Sequence, residues 1–420
     1  MKPLEGVRVL TFEQFGAGPY GSMLLADLGA EVIKVENAAT GGDAARHVGP
    51  HMLANGDSQY FQTWNMNKKS VALDIKTAEG RAGFERLVKT ADAVMNNLRG
   101  DQPEKLGLDY ASLKHLNPKV VCLHISAYGR DNERKSWPGY DFLMQAEAGI
   151  MGLSGEPEGP PTRVGASMVD FMTGATGATG LLACILRAQK TGAGCDVDTC
   201  LFDVAMHQLS YSAIWYLNES VASRRQPRSA HLSVAPVQTF PTADGWIFIM
   251  CMTDKFWSNL AGALGRPDLT AEPRFATQAL RRHNRDALAE VLDEELRKRP
   301  TREWIQTFAG LLPVAPVFEM NEALDADFPQ ATGMVRNVPT ADRPDFRVLG
   351  NPLKIDGKRP EQVAAPVLGA DNNALLGAQD VQAAYPRASG DPGAAKPDGA
   401  NIALGPRLHE REERVAREPV

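Results

Sequence analysis

Short β-rich runs alternate with helix-length segments along the first 130 residues, and this alternation is what most restricts the fold. VRVLTF (7–12) reads as a strand, GAGPYGSMLLADLGA (16–30) as a Gly/Pro turn running into a helix, and EVIKVE (31–36) as a second strand. SVALDI (70–75), the helical AEGRAGFERLVKTA (78–91) and AVMNN (93–97) repeat the unit, and KVVCLHISAYG (119–129) adds another strand. A helix between two strands returns the chain to the same end of the sheet, so the strands run parallel and helices cover both faces. The expectation is an α/β protein with a Rossmann-like large domain and a mostly parallel sheet, whose ligands meet the carboxyl ends of the strands.

Beyond about residue 225 the texture changes. TADGWIFIMCMTD (242–254) reads as a turn and a strand, HNRDALAEVLDEELRKRP (283–300) as an amphipathic helix, and TREWIQTFAGLLP (301–313) as a helix opened by a Thr cap. Residues 226–325 are therefore expected to form a smaller α+β domain, joined to residues 1–200 by a linker helix over 201–225. From 378 to 420 Ala, Gly, Pro and charge dominate, and such a composition cannot bury enough apolar surface to order itself, so a disordered tail is expected.

Composition narrows the function. Forty-five Lys and Arg against 51 Asp and Glu give a net charge of −6 with no run of five like charges, so neither nucleic acid nor a membrane surface is an expected partner. Any anionic ligand must meet a local group of cations. Five scattered cysteines without a CxxC pair argue against a disulfide framework and against a bound metal. The cysteines, odd in number and scattered, make a reducing cytoplasm the expected location; the start, MKPLEGVRVL, lacks the features of a signal peptide, and no run of eighteen apolar residues occurs.

One acid stands at the head of a small, apolar segment in VGASMVDFMTGATGATGLLACILR (164–187): Asp170 precedes Thr173, Gly174, Thr176, Gly177, Thr179 and Gly180 at helical spacings. Glycine costs about 1 kcal/mol against alanine inside a helix, so this face calls for close backbone packing as compensation. Asp170 reads as the helix N-cap. The positive end of the helix would keep the carboxylate ionised in a dry site, which makes it a candidate nucleophile.

LEGVRVLTFEQFGAGPYGSMLLADLGAEVIKVE (4–36), YFQTWNMNKKSVALDIKTAEG (60–80), DAVMNNLRGDQPEKLGLDY (92–110), GYDFLMQAEAGIMGLSG (139–155), MVDFMTGATGATGLLACILRAQKTGAGCDVD (168–198) and PVLGADNNALLG (366–377) together resemble the family III CoA transferases. The resemblance implies an interlocked, ring-shaped homodimer, with residues 326–377 returning to complete the large domain. It implies an acyl-CoA:carboxylate CoA transferase with acyl-CoA, succinyl-CoA among the candidates, and a small carboxylic acid as partners. Coenzyme A is then a substrate, with no permanently bound cofactor. Asp170 matches the nucleophile that forms a mixed anhydride and then an aspartyl-CoA thioester. By the same resemblance coenzyme A is held by Gly16 and Ala17, by Trp64, Asn65 and Asn67, by Asn97, Leu98 and Arg99, by Lys105, and by Tyr140 and Asp141. Arg99, Lys105 and the pair Lys68 and Lys69 offer cations to its phosphates.

Two departures from the family pattern stand out. Asn37 follows Glu36 where members often carry Arg or Pro, so a phosphate or adenine contact is either absent or supplied by Arg46. Gly16 stands where formyl-CoA transferase has Gln. In the small domain, Arg228 and His231 are candidates for meeting a substrate carboxylate, while His124, inside a strand, reads as a core histidine. Two other functions share the fold: an α-methylacyl-CoA racemase, and a CoA-binding paralogue without activity. The racemases carry His in a Gly-His-Asp stretch, and Gly139-Tyr140-Asp141 stands there here. Tyrosine, with an ordinary pKa near 10, is a poor base at neutral pH.

Overall fold

The computed structural model describes residues 1–376. Six strands, β1 (Arg8–Phe12), β2 (Glu31–Glu36), β3 (Lys69–Ala72), β4 (Ala93–Asn96), β5 (Val121–Ser126) and β6 (Cys195–Cys200), form one sheet in the order β3-β2-β1-β4-β5-β6. Every neighbouring pair is parallel. Between them run helices α1 (Ala17–Asp27), α2 (Gln59–Asn65), α3 (Ala78–Val88), α4 (Tyr110–Leu113), α5 (Asp141–Glu147) and α6 (Met168–Thr191).

Side chains alternate across each strand and feed two cores. Val9, Met95, Leu123 and Ile125 pack with α1 and α6 on one face, and Leu10, Ile33, Val94 and Cys122 pack with Phe84 and Leu87 of α3 on the other. From β1 the chain builds outward in one direction to β2 and β3, and from β4 in the other. The carboxyl ends of β1 and β4, where Phe12 pairs with Asn96, therefore flank the crevice in which such sheets hold ligands.

Helix α6 is long and apolar enough by length and composition to cross a membrane, and here it lies against α1 and the sheet. A Cβ on Gly174 would come 2.4 Å from the carbonyl oxygen of Ala17, and one on Gly21 would come 2.6 Å from that of Gly174. The small-residue face of α6 is thus the surface on which the α1 backbone rests. One turn further on, Gly177 faces Leu123 and Ile125 of β5.

The expected linker helix over 201–225 is two helices, α7 (Leu201–His207) and α8 (Ser210–Glu219), followed by coil. An antiparallel three-stranded sheet of β7 (Val237–Pro241), β8 (Trp246–Met250) and β9 (Val314–Pro316) then packs with α9 (Asp254–Ala263), α10 (Gln278–His283), α11 (Arg285–Leu296) and α12 (Thr301–Phe308). Its own core includes Phe240, Trp257, Phe275, Leu292 and Phe308. Thr301 does not cap α12: Pro300 occupies that position, and Thr301 lies inside the helix with its backbone N–H and hydroxyl on Asp244.

A short antiparallel pair, β10 (Val335–Asn337) and β11 (Arg347–Leu349), precedes the return to the first sheet. There the N–H of Ser70 donates to Asp371 and that of Ala72 to Asn372, at 2.9 and 2.8 Å. The tail expected at 378–420 lies outside the described residues.

Candidate active site

Helix α6 begins at Met168, after Ser167, so Asp170 is its third residue and not the N-cap expected from the sequence. The first-turn N–H of Asp170 donates to Asp141 Oδ2 at 3.0 Å. Asp141 opens α5 and is buried, and its Oδ1 accepts from Gln145 Nε2 at 2.6 Å. Gln145, fully buried, accepts through Oε1 from the N–H of Val164 in the loop that leads into α6. Asp141 and Gln145 thereby fix the start of the helix that carries Asp170.

The expectation that the helix end keeps Asp170 ionised is also corrected. Burial, and then the charge of Asp141, push its carboxyl up to about 7. A helix terminus stabilises a carboxylate by only about 0.3–1 kcal/mol, which desolvation beside a second carboxylate outweighs. Asp170 is therefore poised between its two protonation states near neutrality, and only the ionised form is a nucleophile.

Gly16 faces this carboxylate from the turn after β1. A Cβ on Gly16 would lie 2.5 Å from Asp170 Oδ2, so a side chain at this position would require the Asp170 carboxylate to shift. Phe15 precedes it in the left-handed region at φ 61°, and the rings of Phe15 and Tyr140 meet edge to face with centroids 6.1 Å apart. Tyr140 is 60% exposed, which leaves its hydroxyl accessible beside the site.

Next to Asp170, the ring of Phe171 packs at a tilt against those of Tyr20 and Trp64, with centroids 5.1 and 5.0 Å away. These rings and Tyr60 line a cavity of about 920 Å³. The phenol of Tyr60 is held above its usual range mainly by burial, with a contribution from the negative charge of Asp170. Nothing in the sequence singles out Tyr60 or Phe171. An aromatic beside an acid carries no motif by itself, and YFQTW (60–64) signals only an aromatic-rich helix.

The remaining residues expected at coenzyme A divide into two groups. Arg99 and Lys105 are exposed just beyond β4 and share Asp101, at 3.5 and 2.7 Å, so two cations face one carboxylate and a positive excess remains for phosphate. Leu98 lies between this pair and Asn97. Asn97 closes the crevice: it accepts from the N–H of Gln14 and donates to the Gln14 carbonyl, at 2.9 and 2.7 Å. Ala17 is buried at the start of α1. Asn65 is fully buried, its amide donating to Phe61 and its oxygen accepting from Lys68, while Asn67 donates to Asp27 and to the Glu361 carbonyl. These two asparagines brace the fold behind the crevice.

Three cations depart from their sequence reading. Lys68 is buried and paired with Glu13 at 2.7 Å, which removes it from any phosphate. Arg46 is 1% exposed, paired with Glu36 and Asp57 and seated 3.8 Å over the ring of Phe61, so it cannot reach a phosphate in place of Asn37. Arg228 donates through both terminal nitrogens to Asp293. His231 accepts at Nδ1 from the N–H of Ser233 and lies 3.4 Å from Tyr211, and burial and Arg285 lower its pKa. The side-chain partners of Arg228 and His231 belong to the small domain and α8, the backbone N–H of Arg228 donates to Glu156 in the segment before α6 at 2.8 Å, and none of these belongs to the Asp170 cluster. His124 is a core residue as read: Asn96 donates to Nδ1 and Nε2 donates to Asp196, both at 2.8 Å.

The doubly wound sheet, with the half-buried carboxylate of Asp170 facing the turn after β1, is the fold of an α/β enzyme, and the chain matches CoA-transferase family III over residues 4–372. It belongs to that family and is an acyl-CoA transferase. It is 33% identical over 340 residues to a succinate–glutarate CoA-transferase of Agrobacterium fabrum, spanning 79% of this chain and 84% of that protein. It is 32% identical over 402 residues to a succinyl-CoA:mesaconate CoA-transferase of Haloarcula marismortui, spanning 93% and 100%. The crystal structure of a CaiB/BaiF family protein from Brucella suis superposes with a TM-score of 0.78 at 31% identity, covering 89% of this chain and 98% of that one.

Proposed function

We propose that the protein moves coenzyme A between a short dicarboxylic acyl-CoA, succinyl-CoA first among them, and a free carboxylic acid, with Asp170 as the covalent nucleophile. The observation that carries this reading is the carboxylate of Asp170, half-buried in the first turn of α6 and facing Gly16. An ionised Asp170 oxygen attacks the thioester carbonyl, the C–S bond breaks, and coenzyme A leaves as thiolate from an acyl-aspartyl anhydride. The thiolate attacks the aspartyl carbonyl, releasing the first acid as carboxylate and forming an aspartyl-CoA thioester. The second acid reverses both steps. Each step exchanges one activated acyl bond for another, so no external energy source is consumed, and the protein supplies proximity and orientation. Coenzyme A enters as substrate, its phosphates toward Arg99 and Lys105.

The relatives named for glutarate and mesaconate support a dicarboxylate acceptor. Mass spectrometry of new thioesters, in a screen of acyl-CoA donors against carboxylic acids, tests the assignment. Succinyl-CoA with a dicarboxylic acid should give the fastest exchange, and exclusive use of monocarboxylic acids would contradict it. The racemase reading requires a second acid/base group where Tyr140 stands. Accordingly, a 2-methylacyl-CoA in deuterated water should incorporate no deuterium at its α-carbon. Rapid incorporation lost in Tyr140→Phe would reverse the assignment.

Since only ionised Asp170 reacts under this proposal, kcat/KM should rise with pH through about 7. Asp141→Asn removes the like charge that raises this carboxyl, so the rise should move to lower pH. A pH profile of initial rates checks both.

The working state under this proposal is a homodimer in a reducing compartment, the cytoplasm. Support for the dimer comes from α8, where Ile214, Tyr216 and Leu217 are 58, 59 and 74% exposed, and from Met320 and Phe328, 77 and 78% exposed. Three large apolar side chains exposed on one short helix are the kind of surface a partner subunit covers. Sedimentation should give twice the 45.5 kDa chain mass, and an active monomer would contradict it.

A further inference from the structure

Behind Gly16 lies a set of buried ions that the chemistry above does not use. Glu13, Lys34, Asp43 and Lys68 have side chains at or close to complete burial. Lys34 Nζ donates to the carbonyl oxygen of Glu13 at 2.8 Å and pairs with Asp43 Oδ2 at 2.9 Å. Lys68 Nζ donates to the carbonyl oxygen of Pro19 at 3.0 Å and to Glu13 Oε1 at 2.7 Å. The two ammonium groups thus hold the two ends of one segment, Glu13 to Pro19, which runs through the turn after β1 into the first turn of α1, and share the carboxylate of Glu13. Asp43 supports the middle of the turn by accepting from the N–H of Phe15 at 3.2 Å.

That N–H belongs to a residue in the left-handed region, φ 61°, which a phenylalanine adopts only when its surroundings over-determine it. The residue after it is Gly16, whose missing side chain leaves room for the Asp170 carboxylate. Buried ion pairs are a costly way to fill a core, and apolar side chains of similar volume often do it as well. What these ions provide that apolar groups could not is directional contact with backbone carbonyls on both sides of the turn.

We propose that Lys34 and Lys68 are positioning residues that hold the Glu13–Pro19 segment, and with it Gly16, against the carboxylate of Asp170. The proposal rests on Asp170 being the nucleophile. Neither lysine touches substrate: both act by setting the gap in which the thioester carbonyl must sit, and a displacement of about 1 Å there is enough to cost on the order of 100-fold in rate.

The clamp has its own pH signature. Burial, together with the neighbouring charge of Lys34 and opposed mainly by Glu13, brings the Lys68 ammonium down to about 8. The charged groups around it are Glu13 after β1, Lys34 on β2, Asp43 in the following loop and Asp27 on α1, with Asn65 of α2 accepting from it. Loss of its proton weakens the hold on Pro19 and Glu13, so kcat should fall on the alkaline side around pH 8.

The test is kcat against pH for the full-length wild type and for E13Q, K34M, K68M and K68R. Removing the Glu13 anion should move the alkaline fall to lower pH, and removing the Lys34 cation should move it to higher pH. K68M should lower kcat about 10- to 100-fold with a smaller change in KM for acyl-CoA, and K68R, which keeps the charge, should recover part of the rate and lose the alkaline fall. An alkaline fall that stays in place in folded E13Q, or K68M activity within twofold of wild type, would overturn the proposal. If the lysine variants do not fold, the isosteric E13Q decides through the position of the fall. Labelling of wild-type Asp170 by hydroxylamine during turnover separates the two claims. A labelled Asp170 with an unmoved fall refutes the clamp alone, and an unlabelled one refutes the nucleophile on which it rests.

Discussion

Asp170→Ala should lower kcat by about 10⁴-fold or more, because in the proposed mechanism this carboxylate makes and breaks both covalent bonds of the exchange. Asp141 cannot take over: it is 3% exposed, one oxygen accepts from the N–H of Asp170 and the other from Gln145. Asp170→Asn, which keeps the shape and removes the nucleophilic oxygen, should lose as much activity while gaining stability. The folded protein holds this proton up to about pH 7, whereas the ordinary value is 3.8. Folding therefore takes up a proton in that window, and wild-type stability falls as the pH climbs through it. Asparagine carries no such cost. At pH 7.5 it should be the more stable protein by on the order of 1–3 kcal/mol, allowing for partial solvation of the carboxyl. Below pH 4 the difference should vanish. Thermal melts at the two pH values, with initial rates on the same samples, check both halves.

The second large effect concerns the fold that carries the site. Gly174→Ala places a methyl group 2.4 Å from the carbonyl oxygen of Ala17 and 2.9 Å from the backbone nitrogen of Gly21. Neither atom belongs to a flexible side chain, so α1 must move away from α6, taking the Gly16 turn with it. A loss of about 3 kcal/mol or more is expected, at the upper end for overpacked cores, together with the loss of transferase activity. Gly262→Ala is the matching control, since a Cβ there meets nothing within 4 Å. It should be neutral or gain up to about 1 kcal/mol. Urea unfolding midpoints compare the two, and equal destabilisation would show that the close approach of α1 and α6 does not govern stability.

These glycines also show how far the sequence can be read. The repeat of Thr and Gly at helical spacing in 173–180 is a local pattern, and it correctly announces a helix face on which another backbone rests. Strands β1 to β5 announce themselves in the same way, as bounded apolar runs, whereas β6, CDVDTC, alternates acids with small residues and only its pairing with β5 makes it a strand. Pairings between distant segments are not written in any such pattern. Asp170 looks like an N-cap kept ionised by its helix, because Asp141, whose charge adds to burial in raising its pKa, lies 29 residues earlier and enters from another helix. Lys68 looks like a phosphate ligand beside Lys69, because its partner Glu13 is 55 residues away. Arg46 and Arg228 mislead for the same reason, each being matched to an acid beyond the reach of local spacing. A charge in a sequence reveals its sign but not its neighbour, and for a site at a switch point the neighbour decides whether a residue binds ligand or braces the turn that does.

The central claim, that Asp170 carries the acyl group and then coenzyme A, has a direct test. The full-length protein is incubated with succinyl-CoA and an acceptor acid, hydroxylamine is added during turnover, and the digested protein is mapped by mass spectrometry. The expected result is a hydroxamate on Asp170, formed only when acyl-CoA is present and absent from Asp170→Asn. An unmodified Asp170 in a preparation that is transferring coenzyme A, or a hydroxamate placed on Asp141 or any other acid, would contradict it.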